Sequence, residues 1–327
     1  MEEILKNFGK QLEYAPTVQN IGEFHKKNRF IVCGMGGSNL AAGIIESWKP
    51  ELDIAIHRDY GLPYMSEVQL KESLIVASSY SGNTEETVSA YEEARSRRLS
   101  IVVIAAGGKL LELAQENGVP YLQMPTINAG PRFAVGLSIK ATLKAMGEDS
   151  MLNGVGELTG LLKIDDCERT GEELAGQLHN KIPLIYSSGT NTGLARYWKI
   201  SFNESSKLPA FYNFLPELNH NEMVGFDRLT TDGLGSKLAD RFAVIFLNDP
   251  DTDPRVLSRL EMTKKILADK GVSILNVGLA GPSPWYKSFA NILTAMWTSY
   301  HLAKHYGVDP ENISMVEDFK KSLSSNL

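Results

Sequence analysis

Basic runs, cysteines and long apolar stretches are all scarce in these 327 residues, and each scarcity argues against a class of function. Lys and Arg number 33 against 39 Asp and Glu, giving a net charge of −6, and no run of Lys/Arg exceeds two residues. Nucleic acid is therefore not an expected partner, and an anion bound by this chain must be held by local donors rather than by a broad basic field. Only Cys33 and Cys167 carry thiols; they stand far apart, without disulfide or metal-ligand spacing, which fits a reducing cytoplasm. No stretch approaches the ~20 apolar residues of a bilayer span, so no membrane partner is expected. The start, Met1-Glu2-Glu3-Ile4-Leu5-Lys6, shows neither a basic nor an apolar signal region. Nucleotide fingerprints are missing too. After Gly34 and Gly36 the third glycine of a dinucleotide turn is replaced by Asn39, and no G-x-x-x-x-G-K-[ST] occurs.

What is present is an alternation. With 43% hydrophobic and 22% charged residues, the chain reads as globular and long enough for two domains. Strand-like runs at 30–33, 53–57, 74–77, 101–105 and 120–122 alternate with helical patterns such as 85–97, predicting a parallel sheet with helices on both faces. A helix over 133–146 closes this unit, and Gly147-Glu148-Asp149-Ser150 with Asn153-Gly154 marks a boundary. Residues 1–150 and 151–327 then form two α/β domains. The second repeats the grammar of the first, with a polar helix over 168–179 and strands at 181–186, 210–214, 242–247 and 272–277.

Two turns carry the chemistry. The apolar run Leu74-Ile75-Val76-Ala77 breaks into Ser78-Ser79-Tyr80-Ser81-Gly82-Asn83-Thr84-Glu85-Glu86-Thr87. Such a turn delivers hydroxyls and unpaired first-turn amides to the positive end of a helix, which suits a phosphate. An ordinary cap by Asn83 or Ser81, completed by Glu86, is the alternative. Upstream, Arg29-Phe30-Ile31-Val32-Cys33 leads into Gly34-Met35-Gly36-Gly37-Ser38-Asn39 with the same grammar. In a parallel sheet both turns face one crevice, so Gly36, Gly37, Ser38, Ser79, Ser81 and Thr84 are candidate substrate contacts and a sugar phosphate the candidate ligand. Ser187-Ser188-Gly189-Thr190 in the second half lacks the S-x-S-G-x-T pattern, so phosphate is expected in the first half only.

A carboxylate can serve as a proton-transfer base where its surroundings raise its pKa, and the residues alone leave Glu204, Glu217 and Glu222 open as candidates. His220 is embedded in a loop dense with polar groups, unlike His25, His57, His179, His301 and His305. The i, i+4 pair His301 and His305 lacks a third ligand at set spacing, and no metal is assigned. Arg132 follows Gly130-Pro131 at a helix start, where it pairs with an acidic neighbour or stabilises a developing oxyanion.

The segments G-M-G-G-S and S-S-Y-S-G-N-T-E-E-T, with His57-Arg58-Asp59-Tyr60-Gly61-Leu62-Pro63, Pro131-Arg132-Phe133, Phe202-Asn203-Glu204, Pro216-Glu217-Leu218-Asn219-His220-Asn221-Glu222 and Asp309-Pro310 followed by Lys320, span the chain. Together they resemble the bifunctional phosphoglucose/phosphomannose isomerases of the sugar isomerase (SIS) fold. The resemblance implies two doubly wound SIS domains and an aldose–ketose isomerase of glucose, mannose and fructose 6-phosphates working through a cis-enediol without metal or nucleotide cofactor. It implies Glu204 as the base, Arg132 as the enediolate's partner, His220 as the ring-opening group supplied across a homodimer, and Lys320, beside Lys321, at the sugar hydroxyls. The chain departs from its relatives at Glu311-Asn312, where Thr-Pro is frequent. A SIS-domain sugar-phosphate-binding regulator and an isomerase of another phosphosugar are the rival readings.

Overall fold

The structure, a computed structural model, describes residues 1–24, 27–127, 129–230 and 239–324; His25 lies outside the described residues. The apolar runs of the first half become β1 (Arg29–Cys33), β2 (Asp53–His57), β3 (Ser73–Ser78), β4 (Ser100–Ala105) and β5 (Tyr121–Gln123). They pair in the order β2-β1-β3-β4-β5, every pair parallel. The second half forms β6 (Ile182–Ser188), β7 (Phe211–Leu215), β8 (Phe242–Asn248) and β9 (Ser273–Gly278), parallel in the order β7-β6-β8-β9. β3 is buried at all its positions and β4 at all but the first, as befits strands covered on both faces. The expected α/β fold of two parallel sheets flanked by helices is present.

The helices that matter for the site are α1 (Leu40–Trp48), α2 (Glu85–Ser96), α3 (Val135–Met146), α4 (Ile164–Leu178), α5 (Thr192–Ser201), α6 (Pro284–Tyr306) and α7 (Ser314–Ser324). α3 starts two residues later than the pattern suggests, because Pro131 opens a 3₁₀ turn over Pro131–Ala134. α4 starts earlier, at Ile164, with Asp165 and Asp166 in the first turn, where they complement the helix dipole. Among the described residues no helix is long and apolar enough to cross a membrane.

The two sheets share one core. Val32, Leu74 and Ile104 from the first and Ile185 and Ile245 from the second pack with Phe133, Trp198 and Trp297. Smaller clusters cover each outer face, one around Ile75, Val103 and Tyr91, the other around Val244, Phe246 and Leu260. Inside the shared layer α1 and α5 touch backbone to backbone at Gly43 and Gly193. A Cβ added to Gly193 would stand 2.4 Å from the Gly43 carbonyl oxygen, so no larger residue fits there without moving a helix.

Sheet order decides where a ligand can sit. In the first sheet the winding reverses between β1 and β3, and in the second between β6 and β8. At such a reversal the loops leaving neighbouring strands part and open a crevice at their carboxyl ends. The glycine turn leaves β1 and the serine segment leaves β3, so both face the first crevice.

Candidate active site

The two turns are bonded to each other. Ser38 Oγ accepts from the Tyr80 amide at 3.0 Å, and Ser78 Oγ donates to the Ser38 carbonyl at 3.1 Å. Ser79 and Thr84 share a hydroxyl–hydroxyl bond of 2.9 Å, and the Gly82 amide donates to Ser79 Oγ at 3.1 Å. Ser81 Oγ accepts from the Asn83 amide at 3.3 Å. Gly82 has φ +72°, and a Cβ there would lie 1.8 Å from the Gly107 carbonyl oxygen; the position admits glycine alone.

The capping alternative fails. Thr84, not Asn83 or Ser81, is the N-cap of α2, and its side chain makes no cap bond. Asn83 Oδ1 turns away to the Lys109 amide at 3.0 Å. The start of α2 is thus left with hydroxyl groups around it and the positive end of the helix dipole toward the crevice.

The glycine turn also meets the second half of the site. A Cβ on Gly37 would stand 2.9 Å from the Arg132 amide nitrogen, so the Pro131–Ala134 turn lies directly on it. Arg132 is 2% exposed and spreads its guanidinium over three acceptors. Nε donates to Ser205 Oγ at 3.1 Å, Nη1 to Glu204 Oε2 at 2.8 Å, and Nη2 to the Pro310 carbonyl at 2.6 Å. Burial pulls its pKa down from the usual arginine value, against the Glu204 carboxylate, which raises it. Tyr197 OH, fully buried, donates to the Arg132 carbonyl at 3.0 Å and holds the backbone in place.

Glu204 sits in a π-helical turn, Phe202–Ser206, that continues α5. Such turns widen a helix by one residue and swing a side chain out of the regular stripe. Its carboxylate is 32% exposed, open on one side to a cleft of about 700 Å³ lined by Glu204, Lys207, Leu208, Asp309, Asn312 and Met315 among others. Of the three candidate glutamates only Glu204 faces a buried cation. Glu222 accepts from Tyr186 OH and Asn213 Nδ2, both at 2.5 Å, and Glu217 is exposed beside Asn221 at 2.6 Å.

The other two candidates lie apart from this cluster within the chain. His220 is exposed, in the turn Glu217–His220 that follows β7. Lys320 is exposed on α7, a little over one turn beyond the cleft-lining Val316. Lys207, which no sequence argument singled out, does reach the cleft. It donates to the Asn312 carbonyl at 2.5 Å and to that of Glu204, and burial, with Arg132 adding its charge, lowers its pKa. Its one sequence signal is proximity, three residues past the candidate base. At the Glu311-Asn312 departure, Glu311 pairs with the Met1 ammonium at 2.9 Å.

The second crevice is furnished differently. Asn191, at the end of the turn after β6, donates to Ser188 Oγ and to Asp249 Oδ2, each at 3.1 Å. Lys287, at the start of α6, donates to Asp249 Oδ1 at 3.1 Å and to Asp251 at 2.5 Å. A carboxylate of the chain itself occupies the position that faces the strand ends. The paired histidines make ring contacts on α6: His301 stacks on Trp297, and the exposed His305 meets His179 edge-on.

Comparison with known proteins agrees with this geometry. Residues 168–323 match the family described as bacterial phospho-glucose isomerase C-terminal SIS domain. A bifunctional phosphoglucose/phosphomannose isomerase from Aquifex aeolicus is 31% identical over 100% of both chains. One from Thermoplasma acidophilum is 32% identical, covering 91% of this chain and 90% of its own. Among solved structures, a hypothetical protein from Thermus thermophilus superposes with a TM-score of 0.70 at 18% identity, covering 99% of this chain and 87% of its own, which speaks for the fold. With full-length identity at that level and the two site turns, Arg132 and Glu204 in one constellation, the chain belongs to the bifunctional phosphoglucose/phosphomannose isomerase family.

Proposed function

We propose that the chain is an aldose–ketose isomerase interconverting glucose 6-phosphate and mannose 6-phosphate with fructose 6-phosphate. The observation that carries this reading is the Glu204 carboxylate, 2.8 Å from the guanidinium of buried Arg132, whose backbone amide lies directly against Gly37 of the glycine turn. The phosphate binds at Ser79, Ser81 and Thr84, with Gly36, Gly37 and Ser38 forming the opposite wall, in the first of two domains divided at 150/151. Glu204 takes the proton from the carbon next to the carbonyl and returns it to the neighbouring carbon. Arg132 faces the oxygen on which negative charge develops. The flat cis-enediol has two faces, so reprotonation at C2 yields either aldose epimer once the C1–C2 bond rotates. A coupled assay offering fructose 6-phosphate and following both aldoses tests this directly. Formation of both is expected; binding without interconversion would replace the isomerase with a sugar-phosphate sensor.

Ring opening needs a group titrating near neutrality, and His220 lies outside its own chain's cleft. In this reading the enzyme is a cytoplasmic homodimer, His220 of the partner subunit protonates the ring oxygen, and Lys320 contacts the sugar hydroxyls. Mixing Glu204→Gln and His220→Ala chains under subunit exchange should then restore part of the lost activity, because one of the mixed dimer's two sites is intact. Confirmed exchange without recovery would remove His220 from the neighbouring site.

A further inference from the structure

We infer that Arg196 and Asn39 form a positioning clamp that sets the placement of Glu204 relative to the phosphate-binding turns; the inference rests on the isomerase reading above. Asn39 is 0% exposed and stands where a nucleotide turn would carry its third glycine. Its side chain works in two directions. Nδ2 donates to the Gly34 carbonyl at 2.5 Å and closes the glycine turn on itself, while Oδ1 accepts from Arg196 Nη1. Arg196 lies on α5, eight residues before Glu204, about two helical turns along the same rod.

The contacts form a closed ring. From the glycine turn it runs through Asn39 and Arg196 into α5, along the helix to Glu204, across to Arg132, and back to the turn where Gly37 meets the Arg132 amide. Ser38, inside the ring, is bonded to both Ser78 and Tyr80 of the phosphate segment. The base and the phosphate donors therefore belong to one braced unit although they come from opposite halves of the chain.

The need for the clamp follows from the helix crossing. Gly43 on α1 and Gly193 on α5 bring the two backbones into contact at the crossing, around which apolar side chains of both helices pack without directional bonds. Asn39 precedes Gly43 by four residues and Arg196 follows Gly193 by three, about one turn away along each helix. The Asn39–Arg196 bond at that distance adds a directional constraint to the packed crossing. The Arg196 side chain is partly buried, and burial with the charge of Arg58 brings its pKa down to about 10, which leaves it a cation at neutral pH. It spends that charge on an amide oxygen, a directional acceptor, and so fixes an angle as well as a distance.

Arg196→Met keeps the aliphatic stem and removes the fork; Arg196→Lys keeps a charged donor. For the Met variant kcat should fall about 10- to 100-fold, as for misplacement of a catalytic group by about 1 Å. KM, and the Kd of inorganic phosphate, should stay within about threefold because the phosphate donors are untouched. Lys should recover a measurable part of kcat. Crystals of parent and variant with inorganic phosphate should show the Glu204 carboxylate displaced from the phosphate by about 0.5–1 Å. Unchanged Glu204 placement, or losses of phosphate affinity and kcat in equal measure, would overturn the clamp. Should the parent fail to interconvert sugar phosphates, the isomerase reading falls, while the displacement still decides the clamp.

Discussion

Glu204→Gln should lower kcat by about two to four orders of magnitude while leaving sugar-phosphate binding in place. The amide matches the carboxylate in size and can still accept from Arg132 Nη1, so the fold and the 2.8 Å contact survive. What disappears is the capacity to hold a proton between C1 and C2. The same variant should lose exchange of the C2 hydrogen of glucose 6-phosphate with deuterated solvent, a readout independent of the coupling enzymes. Glu217→Gln should be near-silent, because that side chain is exposed and, among the described residues, is bonded to Asn221 alone. Glu222→Gln should act on stability first, since Glu222 takes hydrogen bonds from Tyr186 and Asn213. Near-normal turnover in Glu204→Gln, with loss in either of the other two, would move the base elsewhere and leave the isomerase intact.

Arg132→Lys is expected to have the second largest effect. A planar fork serves Ser205, Glu204 and Pro310 at once; an ammonium on a flexible stem reproduces the charge but not the three directions. If Arg132 faces the enediolate oxygen, kcat should drop about 10²- to 10³-fold. Tm should fall too, because the Pro310 carbonyl loses the donor that ties the segment before α7 to the site. A kcat within about tenfold of the parent would reduce Arg132 to a brace for Glu204.

The strands were legible because a sheet covered on both faces leaves an uninterrupted apolar run, and β1 to β4 differ from the expected spans by no more than a residue at either end. The serine and glycine turns were legible as chemistry because their partners lie on the next strand. Residues whose partners are remote were not. Arg196 meets a residue 157 positions away and Lys207 one 105 positions away, and nothing in the local sequence around either distinguishes it from a solvated cation. Glu204 is intermediate. Its segment suggested a helix end, yet choosing it over Glu217 and Glu222 required the family resemblance, and the reason, a buried guanidinium from residue 132, exists only once the two halves pack.

Asp249 bears on how the two halves came to differ in duty. Its carboxylate is covalently part of the chain, so at the β6–β8 crevice it competes with any dissolved anion at an effective concentration in the millimolar range or above, and it never diffuses away. Lys287 and Asn191 are thereby engaged. The second half keeps the crevice of a parallel sheet but fills it with its own side chain, which fits the proposal that substrate phosphate binds in the first half while the second carries the proposed base.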